Sequence, residues 1–239
     1  MPNVLNTLRQ QLQDLSDPKL QESGQRYFKE KVKVYGSKTA EVVILAKKSF
    51  QTIKDKDKKE VWQLCEQLWQ SGYMEEAFIA CQWCHSLRKK YDENDWNIFE
   101  SWIEKYVSNW ATCDTFCNHS VGDFVMMYPQ FIQNLKKWAR SDNLWLRRAA
   151  AVTLIIPARK GLFLTEIFDI ADILFYDKED LVQKGYGWML KAASQAHQQE
   201  VFEYVMKNKK TMPRTALRYA IEKMPKELKV KAMKKNEKI

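Results

Sequence analysis

Two indoles, a carboxylate and a guanidinium stand at related places in a repeated unit of this 239-residue chain. The blocks Ser71-Gly72-Tyr73, Tyr106-Val107-Ser108, Ser141-Asp142-Asn143 and Asp177-Lys178-Glu179 each open a new helical segment, 35, 35 and 36 residues apart. Counted from the start of its own block, Trp110 falls at offset 4, Arg148 at 7, Asp114 at 8 and Trp188 at 11. Offsets separated by three or four residues share one face of a helix, so equivalent helices would present these four side chains on one surface. The chemistry open to such a set is the stabilisation of positive charge by the carboxylate and the binding of a phosphate by the guanidinium.

Each residue also has an ordinary reading. Asp114 could be a helical acid that complements the macrodipole above a core Trp110. Arg148 could serve a structural ion pair, and its neighbour Arg147 points about 100° away on a helix. Trp188 ends Gly185-Tyr186-Gly187-Trp188, where two helical glycines imply a close approach to another element. The Cys81-x-x-Cys84-His85 and Cys113…Cys117-x-His119 clusters lack a partner motif at zinc-finger spacing. They read as packing residues, with no metal expected. No Gly-rich phosphate loop or Gly-x-Ser-x-Gly elbow occurs.

The elements that must carry these residues are helices. Seven Gly and six Pro are too few for a turn-rich sandwich, and no long segment alternates with strand period. Apolar residues recur at helical spacing in 3–16, where Val4, Leu5, Leu8 and Leu12 form a stripe stopped by Asp17-Pro18. A helix over Pro18–Lys31 is expected next, with Leu20, Tyr27 and Phe28 buried. Ser37 or Thr39 should cap a helix through Ala46, and Lys54–Lys59 reads as a charged surface connector. Helical pairs then follow: Glu60–Gln70 with Met74–Tyr91, Asp95–Val107, Pro129–Ala139 with Leu144–Ile156, and Leu162–Phe175 with Asp180–Ala196. Shorter helices are expected over Gln199–Asn208 and Pro213–Lys223.

A two-helix unit of this period points to an all-α chain, a right-handed α-solenoid of HEAT-like helix pairs with a concave basic groove. It would form a single domain over 1–239, most regular over 57–225, with a lysine-rich end at 226–239. The net charge of +9 is concentrated near that end. From Val205 onward twelve basic residues face three acids, which suits a polyanion or, more simply, a solvated tail. The chain shows no secretory signal and no apolar run of membrane-spanning length. Five cysteines without a secreted framework read as reduced thiols, so a cytoplasmic location in a bacterial or archaeal cytosol or nucleoid is expected.

Three blocks carry a resemblance that runs from about residue 5 to 225: Trp110-Ala-Thr-Cys-Asp114, Ser141-Asp-Asn-Leu-Trp-Leu-Arg-Arg148-Ala-Ala and Val182-Gln-Lys-Gly-Tyr-Gly-Trp188. With the weaker block Arg26-Tyr27-Phe28-Lys29, they resemble the AlkD family of HEAT-like DNA glycosylases. The resemblance implies excision of cationic alkylpurines, such as 3-methyladenine and 7-methylguanine, from duplex DNA without base flipping. It implies that Asp114 stabilises the sugar cation and positions water, that Trp110 and Trp188 pack on the sugar-phosphate, and that Arg148 holds a phosphate. Tyr27 would line the same groove. A cationic base leaves without a general acid and no lysine nucleophile is needed, so base release without strand cleavage or a cofactor is expected, and a monomer suffices. The alternative is a non-catalytic HEAT-like protein that binds damaged or branched DNA; a protein–protein scaffold is a third reading.

Overall fold

The computed structural model describes residues 4–234. Residue 3 of the expected first helix and residues 235–239 of the lysine-rich end lie outside the described residues. Every regular element among the described residues is helical; the remaining pairing is an isolated bridge between Lys33 and Tyr73. The chain packs as two compact units, Met1–Phe116 and Cys117–Ile239.

The first unit holds α1 (Val4–Asp14), α2 (Pro18–Gln25), α3 (Thr39–Phe50), α4 (Lys58–Gln70), α5 (Met74–Ser86), α6 (Asp95–Tyr106) and α7 (Trp110–Phe116). Local chemistry fixes several starts. The Asp17 carboxylate accepts the Lys19 N–H and Pro18 takes the first helical position, where its missing N–H costs nothing. Asp57 caps α4 in the same way, so the charged connector ends two residues earlier than the apolar pattern implies. Neither Ser37 nor Thr39 caps α3; Lys38 takes that position without a side-chain bond.

Two expected helices end early, each for a visible reason. The second stops at Gln25 instead of Lys31. The Gln25 side chain accepts the Val32 N–H at 3.0 Å and donates to the Glu30 carbonyl at 2.8 Å, folding residues 26–32 into a loop. In consequence Tyr27 is 75% exposed, not buried, while Leu20 and Phe28 are half-buried. The fifth stops at Ser86 because Tyr91 turns back and donates its hydroxyl to the Cys84 carbonyl at 3.0 Å, satisfying a C-terminal acceptor.

Helix α5 packs against α3, α4 and α7, while α4 also meets α6. Their core is aromatic. Trp62, Trp69, Phe99, Trp102 and Phe116 meet edge-to-face or tilted at 5.3–6.4 Å, the favoured geometry for ring quadrupoles. The buried indoles find acceptors where they can: Trp62 donates to Asp95 and Trp83 to the Ala46 carbonyl.

The second unit opens with a π-helical turn, Cys117–Val121, followed by α8 (Gly122–Met127), α9 (Ile132–Trp138), α10 (Leu144–Val152), α11 (Ile155–Arg159), α12 (Leu164–Ile173), α13 (Asp180–Ala193), α14 (Gln198–Asn208), α15 (Arg214–Ala220) and α16 (Lys226–Met233). Helix α10 breaks after Val152 instead of reaching Ile156, because Pro157 has no N–H for the Thr153 carbonyl. Helix α16 forms within the lysine-rich end, which the sequence left unassigned. The pairs α9/α10, α12/α13 and α14/α15 pack internally; α10, α13 and α15 then stack in series, as do α9 and α12.

The repeated blocks have a shared local geometry. Ser71, Ser141 and Asp177 each accept the backbone N–H two residues on, at 3.1, 3.1 and 2.9 Å, turning the chain into α5, α10 and α13. Helix α7 starts from the corresponding place with a different cap, Asn109, whose side-chain oxygen accepts the Thr112 N–H at 3.0 Å.

Candidate nucleic-acid interface

Six of the nine tryptophans are core: Trp62, Trp69, Trp83, Trp96, Trp102 and Trp138 are each no more than 5% exposed. The abundance of indoles therefore reflects packing more than ligand contact. Trp110, Trp145 and Trp188 are half-buried instead; Trp145 and Trp188 lie on the second helices of their pairs, and Trp110 opens α7.

In the first unit α7 carries Trp110 and Asp114, one helical turn apart as their spacing requires. The Trp110 indole N–H donates to the Tyr27 carbonyl at 3.2 Å, and its ring stacks on Phe28 at 5.4 Å and 19°. Trp110 is therefore not a core residue, and the structure brings it together with the Tyr27 segment. Asp114 is 9% exposed. A carboxylate so placed acts in a lower effective dielectric than water, where its pull on a nearby positive charge is stronger.

In the second unit α10 carries Arg148 and α13 carries Trp188. The Arg148 guanidinium is buried and donates from Nη1 to the Leu181 carbonyl in the first turn of α13. Its aliphatic stem lies beside Gly185, whose added Cβ would sit 3.6 Å from Arg148 Cγ. The neighbouring Arg147 forms an ion pair with Asp177. Arg147 Nε meets Asp177 at 2.6 Å, and its Nη1 donates to the Ser141 and Asp142 carbonyls.

The second glycine has a different neighbour. A Cβ on Gly187 would lie 2.7 Å from Tyr219 Cβ and 2.8 Å from the Ala216 carbonyl, so α13 and α15 touch backbone to side chain. The close approach inferred from Gly-Tyr-Gly-Trp is thus explained, mainly by Gly187. Trp188 follows directly, with the Lys191 ammonium 5.9 Å from its ring centroid and 5.3 Å from that of Tyr219. Glu222 holds Lys191 at 2.9 Å.

Sequence reasoning passed over two aromatic side chains. Phe28 supports Trp110, although it was expected in the core. Trp145 occupies the same offset, four residues into its block, as Trp110 does in the preceding block; that equivalence was the available signal. All five cysteines are buried, and none is joined in a disulfide. Burial pushes the Cys65 and Cys81 thiols well above their ordinary range, which keeps them protonated and unreactive. Among the described residues no group of three His, Cys, Asp or Glu side chains could hold a metal ion, and no helix is long and apolar enough to cross a membrane. A groove of 490 Å³ in the first unit, lined by Lys59, Trp62, Glu66 and Trp102, includes none of the candidate residues.

No curated protein sequence matches the chain. A solved structure of a predicted DNA alkylation repair enzyme from Enterococcus faecalis is similar in fold, with a TM-score of 0.79 at 17% identity, covering 88% of this chain and 97% of that one. The model of the family described as DNA alkylation repair enzyme matches residues 8–224, nearly the whole chain. With an all-helical fold and nine-tenths of its length matched, the chain belongs to the DNA alkylation repair enzyme family.

Proposed function

We propose that the protein is a monofunctional glycosylase that hydrolyses the N-glycosidic bond of cationic alkylated purines in duplex DNA. The observation that carries this reading is the pair on α7: a buried carboxylate, Asp114, one turn from a half-buried indole, in a chain of a DNA alkylation repair family. In the proposed reaction the bond from C1′ to the purine nitrogen breaks and the base leaves as a neutral molecule with the bonding electrons. The sugar gains oxocarbenium-like charge; water adds to C1′ and its proton passes to solvent. Asp114 supplies the opposing charge and positions the water. Trp110, Trp188 and Tyr27 pack on the sugar-phosphate, and Arg148 engages a phosphate. The HEAT-like reading of the helix pairs belongs to the same proposal.

A charge about 4 Å from the developing cation, at an effective dielectric of about 20, is worth roughly 4 kcal/mol, on the order of 10³-fold in rate. Asp114→Asn keeps the shape and removes that charge. Methylated duplex is incubated with each protein and the free bases are quantified. The expected result is release of 3-methyladenine and 7-methylguanine by the wild type, reduced on the order of 10³-fold in the variant. No release by the wild type, with duplex binding intact, refutes the enzyme and leaves a protein that only binds damaged or branched DNA.

A further inference from the structure

Between α2 and α3 the chain forms a strap, residues 26–38, without regular structure of its own. Tyr27 and Phe28 lie at one end, against Trp110. The other end is pinned to the first turn of α5 by two buried carboxylates. Glu75, 3% exposed, accepts three successive backbone N–H groups: Tyr35 at 3.0 Å, Gly36 at 2.8 Å and Ser37 at 3.3 Å. Glu76 accepts the Arg9 guanidinium at 3.0 Å and the Tyr35 hydroxyl at 2.8 Å. Gly36 has φ +85°, a conformation that lets the N–H groups converge and that other residues rarely adopt. Between the two ends, Met74 N–H donates to the Lys33 carbonyl and the Gln25 side chain holds Val32.

A buried acid bonded to backbone N–H groups fixes a chain path more than it adds net stability, because desolvation offsets most of the gain. We propose that Glu75 is a positioning residue for the α7 site: it fixes the path of the strap and, through Phe28, the ring plane of Trp110. The inference rests on the reading that Trp110 contacts DNA, but its geometric half does not.

The test uses the full chain labelled with 5-fluorotryptophan, the Trp110 fluorine resonance being assigned by its loss in Trp110→Phe. Glu75→Gln places an amide N–H₂ against a backbone donor, and Phe28→Leu removes the stacked ring without touching Glu75. Both variants should shift or broaden the Trp110 resonance while those of Trp138 and Trp188 stay. Both should weaken binding to a duplex carrying a tetrahydrofuran abasic-site analogue by roughly tenfold. An unchanged Trp110 resonance in both variants, with Glu75→Gln merely less stable, overturns the proposal. A shift in Glu75→Gln alone overturns the route through Phe28. Should Glu75→Gln not fold, an unmoved resonance in Phe28→Leu is sufficient to reject the link. Shifts in both variants with undiminished DNA affinity support the strap and reject Trp110 as a DNA contact, which separates the two failures.

Discussion

Two alanine substitutions in the same helix, two residues apart, should change stability with opposite sign. Replacing a helical glycine by alanine ordinarily stabilises by about 0.5–1 kcal/mol, through the conformational freedom removed from the unfolded chain. At Gly185 nothing opposes this gain. The new Cβ would meet Arg148 Cγ, Val152 Cγ1 and Arg148 Nη1 at 3.6–3.7 Å, ordinary contact distances. At Gly187 the same methyl would lie 2.7 Å from Tyr219 Cβ, 2.8 Å from Ala216 O and 3.0 Å from Ala216 Cα. Two of the three are main-chain atoms of α15, so no rotamer change relieves the overlap. Helix α15 must retreat by roughly 0.7 Å to restore contact distance, loosening Ala216, Leu217 and Ala220 against α13. Overpacking of this kind costs about 1–3 kcal/mol. The net expectation is about +0.5 kcal/mol or more for Gly185→Ala and a loss of about 1–2 kcal/mol for Gly187→Ala. Urea unfolding read by far-UV circular dichroism measures both, with the slope checked for constancy. Equal effects of the two variants, or a more stable Gly187→Ala, would refute the close-approach explanation of these glycines.

Arg147→Ala should destabilise by about 1–3 kcal/mol, since it leaves Asp177 unpaired at the start of α13 and frees two carbonyls of the preceding turn; a loss below 0.5 kcal/mol in chemical denaturation (about the limit of a surface change) would show the pair to be decorative. Tyrosinate absorbance at 295 nm should rise in two phases with pH. Burial raises Tyr35, Tyr186 and Tyr204 well above the ordinary tyrosine value, with Glu76, Asp177 and Asp172 adding to the shift in turn. Because these folded values exceed the unfolded one, their stabilisation is complete below about pH 10 and is lost as pH climbs towards the folded values. Simple titration of all ten tyrosines near pH 10 would contradict that burial. Duplex affinity should fall steeply with salt, and Arg148→Ala should lower the slope of log K against log salt by about 0.9 if one phosphate contact is lost. An unchanged slope would remove Arg148 from the phosphate contacts.

Helix content and helix starts were legible in the sequence because their causes are local. Apolar spacing near 3.6 residues and side chains such as Asp17, Ser141 and Asp177 act within a turn of where they stand. The pairing of Trp110 with Asp114 on one helix was readable for the same reason. What the sequence could not apportion was burial. Nine indoles look alike in a string of letters, yet six are packed among helices and three reach the surface. Tyr27 and Phe28 sit in a helical-looking run that the structure makes a strap: the Gln25 side chain folds residues 26–32 into a loop, and Glu75, some 40 residues further along the chain, accepts the N–H groups of Tyr35 and Gly36 beyond it. Adjacent arginines look equally alike, yet Arg147 meets Asp177 while Arg148 is buried and donates to the Leu181 carbonyl. Sequence by itself determined most of the helical segments and several of their starts, since hydrogen bonds within a turn decide both. Only tertiary structure decided which faces are covered and which side chains meet, since those depend on helices brought together from far apart in the chain.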